Sequence, residues 1–156
     1  MKKVLITLIA VFAISLGVQA QSNLGLRFGN GSELSWQYNL SDANRLEFNL
    51  GLNGIFNNGN WHYFCLTGAY QWHWDIVDKL GWYVGPAAQV GFYSWKNHNS
   101  EIAAAVGGQI GLDYVLPIPL QLSLDVRPMW FITDRHDYGY DNGFGYSVGL
   151  GIRYMF

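Results

Sequence analysis

The sequence predicts an all-β fold, an eight-stranded antiparallel up-and-down transmembrane β-barrel, and three observations carry this prediction. Apolar residues fall on every second position through most of the chain, which is the period of a β-strand and not of a helix. Clusters of turn-forming residues divide this pattern into eight segments. The chain also ends on such an apolar stripe, at Phe156, whereas soluble domains usually end in a polar, frayed tail.

Residues 1–20 are expected to be removed before the chain folds. Two lysines precede an apolar run from Val4 to Val18, and the small-residue segment ending at Ala20 is typical of a cleavage site. These are the parts of a secretory signal peptide, and the apolar run is too short to be a membrane-spanning helix. We therefore predict a signal peptide over 1–20 and a single barrel domain over 21–156.

Composition argues against several classes of protein. The chain has 9 basic and 11 acidic residues, and this balance gives no reason to expect nucleic acid as a partner. Charged residues make up 13% of the chain, about half of the roughly 25% that is usual in soluble domains. Cys65 is the single cysteine, so a disulfide framework is not expected.

The first three strands are separated by two short turn signals. Asn30-Gly31 is typical of a tight β-hairpin, and the polar stretch 41–44 is typical of a second turn. Polar residues alternate with the apolar ones on both sides of these turns, as expected for strands with two different faces. The apolar positions are Leu24, Leu26 and Phe28, then Leu34, Trp36, Tyr38 and Leu40, then Leu46, Phe48, Leu50 and Leu52.

Strands four, five and six follow a loop at 55–60 that is rich in Asn and Gly. A turn over 75–80 separates the first two of them, and a hydrated loop over 96–101 separates the last two. Their apolar stripes are Phe64, Leu66, Tyr70, Trp72 and Trp74, then Trp82, Val84, Ala88, Val90 and Phe92, then Ile102, Ala104, Val106, Ile110, Leu112 and Tyr114.

Strand seven follows a stiff turn at 117–119 and runs from Leu120 to Ile132, and strand eight follows a charged loop over 133–142. Pro86 and Pro128 interrupt this pattern, because a proline removes a backbone donor from an interior strand. A β-bulge at each proline would reconcile them with the strand pattern.

Alternation shows that each strand has an oily face but not where that face points. A soluble lipocalin-like barrel would hold it inside, whereas a membrane barrel turns it towards lipid. The polar face carries four arginines, four carboxylates and no lysine, which suits mutual pairing in a narrow lumen better than exposure to water. We therefore predict an outward oily face and a lumen charge network of Arg27, Glu33, Arg45, Glu47, Asp113, Asp125, Arg127 and Arg153.

Aromatic residues on the oily face cluster at the ends of the strands. Two aromatic belts around an aliphatic band match a bilayer, whose interfaces favour amphipathic rings. One predicted belt contains Tyr38, Trp72, Trp74, Trp82, Tyr114, Tyr154 and Phe156, and the other contains Phe28, Phe64, Phe92, Trp130, Phe144 and Tyr146.

The signal peptide, the eight alternating strands and the last strand ending on Phe156 together resemble the small eight-stranded outer-membrane β-barrel family of Gram-negative bacteria, the OmpX/OmpA-type barrel domain. This resemblance implies a monomer in the cell outer membrane, surrounded by lipid and lipopolysaccharide. It also implies that the outer-membrane assembly machinery reads the C-terminal strand, with Tyr154 and Phe156 at the matching positions. Fold does not fix function. We expect a structural or surface-interaction role through the external loops.

Two stretches invite a chemical interpretation. The segment 98–101, His-Asn-Ser-Glu, has the residue types of a hydrolase triad, but neighbours on one short loop tend to diverge and no oxyanion-hole signature accompanies them. The acidic segment 134–141 lacks a calcium-loop consensus. We expect no enzymatic activity, cofactor or metal. A lipid-modifying enzyme similar to the lipid A deacylases and a soluble lipocalin-like binding barrel remain the alternatives.

Overall fold

The computed structural model describes residues 22–29, 31–53, 61–95, 98–132 and 143–156. The predicted signal peptide and the predicted loops at 55–60 and 133–142 lie outside these ranges. None of the described segments is a helix long and apolar enough to cross a membrane. The strands are β1 Ser22–Phe28, β2 Ser32–Asn39, β3 Asn44–Asn53, β4 Trp61–Val77, β5 Leu80–Trp95, β6 His98–Val115, β7 Leu120–Phe131 and β8 Phe144–Met155.

Each strand pairs antiparallel with its neighbour in sequence, and β1 pairs with β8, so the sheet closes into a barrel. The predicted fold class is confirmed. Closure matters physically, because it gives the backbone groups of both terminal strands a partner and removes the open edge of the sheet.

Side chains alternate between a buried lumen and an exposed outer surface. On β7, for example, 51% of Leu124 is exposed but only 1% of its neighbour Asp125. The same contrast holds on β8, where Arg153 is buried between the exposed Ile152 and Tyr154. The oily face therefore points outward, as predicted, which is the opposite of a lipocalin-like barrel.

One end of the barrel, here called the turn end, consists of three short connections. The chain turns between β2 and β3, where the Leu40 N–H donates to the Asn44 carbonyl at 2.8 Å, and again at 116–119 between β6 and β7. The third connection is shorter than predicted, because β4 continues to Val77 and β5 begins at Leu80. The predicted turn over 75–80 includes Ile76 and Val77, which belong to β4, so only Asp78 and Lys79 lie between the two strands.

The opposite end, here called the loop end, also differs from the prediction. The expected loop over 96–101 is shorter, since β6 begins at His98. The pairing of β5 with β6 shifts register between Tyr93 and Trp95, so the strands continue past the apolar band with an irregularity. The polar residues there show that the chain has left the apolar band, but not that the strand has ended.

No β-bulge lies at either proline. Pro86 aligns with Gly108 on β6, and Pro128 aligns with Tyr146 on β8, in a register that does not shift at either proline. Each proline also faces a second neighbouring strand, and there the ladder is interrupted. No pairing is formed between Ala69 and Trp72 of β4, beside Pro86, or between Gly107 and Ile110 of β6, beside Pro128.

Glycines border both of these gaps. A Cβ at Gly85 would collide with the carbonyl of Tyr70, and one at Gly107 would collide with the carbonyl of Pro128. The neighbouring backbones therefore approach closely where ladder pairing is interrupted, and only glycine leaves room for that approach.

Aromatic residues form cross-strand pairs at both ends of the barrel. At the turn end, the rings of Trp74 and Trp82 stack with centroids 4.8 Å apart. At the loop end, Phe64 lies 6.2 Å from Phe92 and Trp130 lies 6.3 Å from Phe144.

Phe28 does not belong to the belt at the loop end. It lies opposite Leu150 on β8, within the aliphatic band. The expectation from its position at the end of a strand fails because β1 ends well before its neighbour does.

Candidate functional site in the barrel lumen

The structure places all eight members of the predicted lumen charge network on the inner face of the barrel. They come from six strands, and seven of them are buried. Glu33 is the exception, with 18% of its side chain exposed. Four positive and four negative groups therefore meet in one enclosed space, and such groups are tolerated only when they are paired.

Arg27 and Glu33 lie directly opposite each other on β1 and β2. Their ion pair measures 3.3 Å, but Arg27 is closer to Asp125 of β7, with Nη2 2.6 Å from Oδ1. The Arg27 Nε donates to both oxygens of Asp125 at 3.1 Å, so this contact is the bidentate geometry that makes arginine–carboxylate pairs strong.

Arg127 links the two halves of the network. Its Nη1 lies 3.0 Å from Glu33, and its Nη2 lies 2.6 Å from Glu47 on β3. One guanidinium thus bridges two carboxylates on different strands across the lumen. This use of several donors in one fixed plane is available to arginine but not to lysine.

Glu47 is the most enclosed carboxylate and has the most partners. Besides Arg127, it accepts hydrogen bonds from the amides of Gln71 at 2.6 Å and Asn49 at 2.8 Å. The Nη2 of Arg153 lies 3.1 Å from Oε2, the oxygen that also accepts from Gln71, whereas Arg127 and Asn49 contact Oε1. Both oxygens are therefore compensated, as a buried charge requires.

A second cluster lies near the turn end and is centred on Asp113. This carboxylate contacts Arg45 Nη1 at 2.6 Å, His73 Nε2 at 3.1 Å and the amide of Gln121 at 3.0 Å. Arg45 also lies over the ring of Tyr83, with its guanidinium carbon 5.0 Å from the ring centroid, a cation–π contact.

Neutral side chains that the sequence analysis did not single out complete the network. Gln37 donates to Gln71 at 3.0 Å, and Arg153 donates to the hydroxyls of Ser35 and Ser123 at 2.9 and 2.7 Å. Their signal was present in the sequence, since they lie on the same alternating face as the charged residues. The predicted network contained charged residues only, so these neutral side chains were not part of it.

An apolar layer lies on the inner face as well, and this feature was not predicted. Ala69, Ala87, Ala105 and Met129 form a buried cluster, and Phe131 packs against it. These residues share the inward parity of the polar network, so the lumen combines a charged part with an apolar part.

The arrangement holds charge in place and offers little chemistry. Each of the four carboxylates has an arginine partner. Among the described residues, no group of three or more His, Cys, Asp and Glu side chains forms a possible metal site. The side chains of 98–101 and the acidic segment 134–141 lie outside the described part of the chain.

The C-terminal residues face outward at the turn end. Tyr154 lies opposite Leu24 on β1 and Leu120 on β7, and its ring centroid is 5.1 Å from that of Phe156. The Phe156 N–H donates to the Ser22 carbonyl at 3.1 Å, so the last residue takes part in closing the barrel.

Comparison with known proteins gives structural matches only. No family model matches the sequence, and no curated protein is significantly similar to it. Outer membrane protein H (OprH) from P. aeruginosa has a TM-score of 0.63 at 17% identity, over 88% of this chain and 100% of the other. The N-terminal barrel domain of Pseudomonas aeruginosa OprF has a TM-score of 0.58 at 18% identity, over 88% and 98%.

Neisserial surface protein A has a TM-score of 0.54 at 11% identity, over 87% of this chain and 95% of the other. Identities this low establish a shared fold and no more. With the closed eight-stranded sheet and the outward oily face, they lead to one conclusion. The chain has the fold of the small eight-stranded outer-membrane β-barrels.

Proposed function

We propose that this protein is an integral outer-membrane β-barrel with a structural or surface-interaction role, exported through a cleaved signal peptide over 1–20. The distribution of polarity is the observation that carries the proposal. A barrel with paired charges inside and exposed aliphatic side chains between aromatic belts is stable in a bilayer and poorly soluble in water. The similarity in fold to outer-membrane proteins supports the same location.

The lumen acts as a filled interior and not as a porin-like channel. An eight-stranded barrel is just wide enough for side chains to fill. Arg27 reaches from β1 to Asp125 on β7, and Arg127 reaches from β7 to Glu47 on β3, so guanidinium groups cross the lumen. Specific activity is therefore assigned to the external surface.

Strand parity places both chain ends on the same side of the membrane. Eight strands bring both chain ends to the turn end, which we place in the periplasm. The external segments are then those near 30–32, 54–60, 96–97 and 133–142. The partners in this proposal are outer-membrane lipid and lipopolysaccharide, and the assembly machinery through Tyr154 and Phe156, with the barrel as a monomer.

Cell fractionation tests the location. The expressed protein should remain in the outer-membrane fraction after washing with carbonate or urea, and detergent should extract it. The unboiled protein should also migrate faster than the boiled protein in a denaturing gel, because a closed barrel resists unfolding by detergent. Release by carbonate or urea would contradict the proposal.

Lipid A analysis tests the absence of enzymatic activity. Mass spectra of lipid A from cells with and without the protein should be the same in acyl-chain number and headgroup. A new or missing acyl chain that depends on expression would replace the structural role with a lipid-modifying one.

A further inference from the structure

Lys79 is the only lysine or arginine outside the lumen charge network in the part of the chain that the structure describes. It lies in the two-residue connection between β4 and β5 at the turn end, and its side chain is exposed. Its φ of 69° is one that glycine adopts far more readily than a residue with a side chain. Because strained residues concentrate at binding sites, this lysine is a candidate ligand-binding group.

The tip of the β4–β5 hairpin carries exposed charges of both signs. Among the described residues, no carboxylate forms an ion pair with the Lys79 ammonium. Asp78 is exposed, and Asp75 has 86% of its side chain exposed, with a contact of 3.9 Å to Nδ1 of His73. A headgroup with both a negative and a positive group complements this tip, whereas a purely anionic headgroup is repelled by the two carboxylates.

A groove beside this hairpin, on the outer surface of the barrel, is lined almost entirely by apolar atoms. Its volume of about 490 Å³ lies within the roughly 300–1,000 Å³ of small-molecule sites. The β4–β5 register shifts between Asp75 and Val77, and such an irregularity re-aims the residue that it leaves unpaired, here Ile76. The side chains that line the groove are Ile76 and Trp82 of the hairpin, Ile110 and Leu112 of β6, and Leu124 and Val126 of β7.

Lys79 lies above this groove on the turn-end side. The Val115 N–H donates to the Lys79 carbonyl at 2.8 Å, which fixes the lysine beside the last residue of β6. Leu112, opposite Trp82, and Ile110 lie further along the same strand. The five residues from Val115 to Ile110 span about 17 Å along the strand, or about 12–14 Å of depth at a tilt of ~35–45°. That depth fits within one leaflet, which is about half of the ~30 Å hydrocarbon core.

The site does not depend on the undescribed connections. Those at 54–60, 96–97 and 133–142 join strands at the loop end. The groove and the turn that carries Lys79 are at the opposite end, and all of their residues are described.

We propose that Lys79 and the groove form a binding site for one phospholipid of the periplasmic leaflet whose headgroup carries a primary ammonium beside its phosphate, as in phosphatidylethanolamine. The Lys79 ammonium contacts the phosphate, as lysine does in many phosphate sites. The carboxylates of Asp75 and Asp78 accept hydrogen bonds from the headgroup ammonium, and one acyl chain lies in the groove against Trp82. This inference rests on the proposed membrane location and adds to it a lipid class and a place on the barrel.

Native mass spectrometry of the purified barrel tests the site. Phosphatidylethanolamine, phosphatidylglycerol and phosphatidylcholine with identical acyl chains are added separately to the protein in detergent. We expect phosphatidylethanolamine to bind several-fold more tightly than the other two, because one is anionic and the other has no N–H to donate. Lys79→Ala should weaken this binding by roughly two- to fivefold, the contribution of one exposed charge pair, and Lys79→Arg should retain most of it.

Two pairs of variants separate the site from general contact with lipid. Leu124→Trp fills the groove and should weaken binding of all three lipids. Leu150→Trp is the matched control, because Leu150 lies opposite Leu124 and is 49% exposed against 51%, but does not line the groove. Asp78→Asn should narrow the difference between phosphatidylethanolamine and phosphatidylglycerol, whereas Asp42→Asn, in the turn between β2 and β3, should not.

Equal binding of the three lipids, or unchanged binding after Lys79→Ala, would overturn the site and leave the membrane location intact. The same holds if Leu150→Trp weakens binding as much as Leu124→Trp does. A barrel that stays dissolved after removal of detergent and retains no lipid would overturn both proposals.

Discussion

Asp125 and Glu33 are both lumen carboxylates, yet they differ in how much the barrel depends on them. Asp125 is fully enclosed, and Arg27 clasps it through both Nε and Nη2. Glu33 has longer contacts to two arginines and is partly exposed. A buried charge that loses its partner costs far more than an exposed one that does so, because water cannot take the place of the lost contact.

We therefore expect Asp125→Asn to lower the free energy of unfolding by about 3–5 kcal/mol, since it removes the bidentate partner of the buried Arg27 and leaves that guanidinium only its longer contact to Glu33. Glu33→Gln should cost clearly less, because Arg27 keeps Asp125 and Arg127 keeps Glu47. Urea unfolding of both variants in vesicles measures the difference. Equal losses would mean that the two carboxylates are equivalent and that enclosure is irrelevant.

At the scale of elements, the tight turn between β4 and β5 contains a strained residue. Lys79 has a positive φ of 69°, and the β4–β5 register shifts between Asp75 and Val77. Hairpin loops of this kind place glycine or asparagine at the left-handed position. An L-residue with a Cβ is disfavoured there by roughly 1–2 kcal/mol.

Lys79→Gly should consequently raise the free energy of unfolding by about 0.5–1 kcal/mol, after the extra entropy of glycine in the unfolded chain is subtracted. Asp78→Gly is the matched control. Its φ is not positive, so the substitution brings the entropy cost without relief of strain and should destabilise. A stabilisation of similar size by both variants would rule out the strain argument.

The outward stripes should show the depth dependence of a bilayer. Leu124 lies in the middle of its stripe, and Leu124→Arg should cost on the order of 2–4 kcal/mol. Tyr154→Arg places the same charge at the rim, where the cost is about 0–1 kcal/mol. Unfolding in lipid vesicles compares the two, and equal costs would mean that the stripe does not cross a bilayer.

Much of the strand architecture could be predicted from the sequence, because one face of every strand is apolar. A period of two identifies the strands and separates their two faces, and the balanced charges of the polar face indicate that it points inward, so the inward position of Arg153 could be predicted. The strand order could be predicted from the short connections. Contacts between strands were harder to predict. Nothing in the sequence brings Arg27 to Asp125 or Arg127 to Glu47, since those pairs depend on the stagger with which the barrel closes.

The local structure at the two prolines could not be predicted from the sequence either, for a different reason. A bulge and a local opening of the ladder both remove the need for a donor. The choice at Pro86 depends on how closely the neighbouring strand approaches at Gly85. That distance belongs to the packed sheet and not to any single segment of the chain.

For the whole molecule, the last residue is expected to matter more for assembly than for stability. Phe156 is one exposed ring at the rim and contributes a small part of the burial. Phe156→Ala should reduce the yield in the outer membrane of cells while leaving refolding into detergent nearly unchanged. Phe144→Ala, an exposed ring in the opposite belt, is the matched control and should assemble normally. Equal yields of both variants in cells would remove the sorting role of the C-terminus.

The lumen charge network also bears on how the chain reaches its native state. Three of its contacts join strands that are not neighbours in the sheet: Arg27–Asp125 joins β1 to β7, Arg45–Asp113 joins β3 to β6, and Arg127–Glu47 joins β7 to β3. An open sheet cannot form them, so they arise only as the barrel closes. Interactions formed after the transition state act on the unfolding rate. Asp125→Asn should thus speed unfolding and leave the folding rate nearly unchanged. The buried charges would then set how long the native state persists once the barrel has closed.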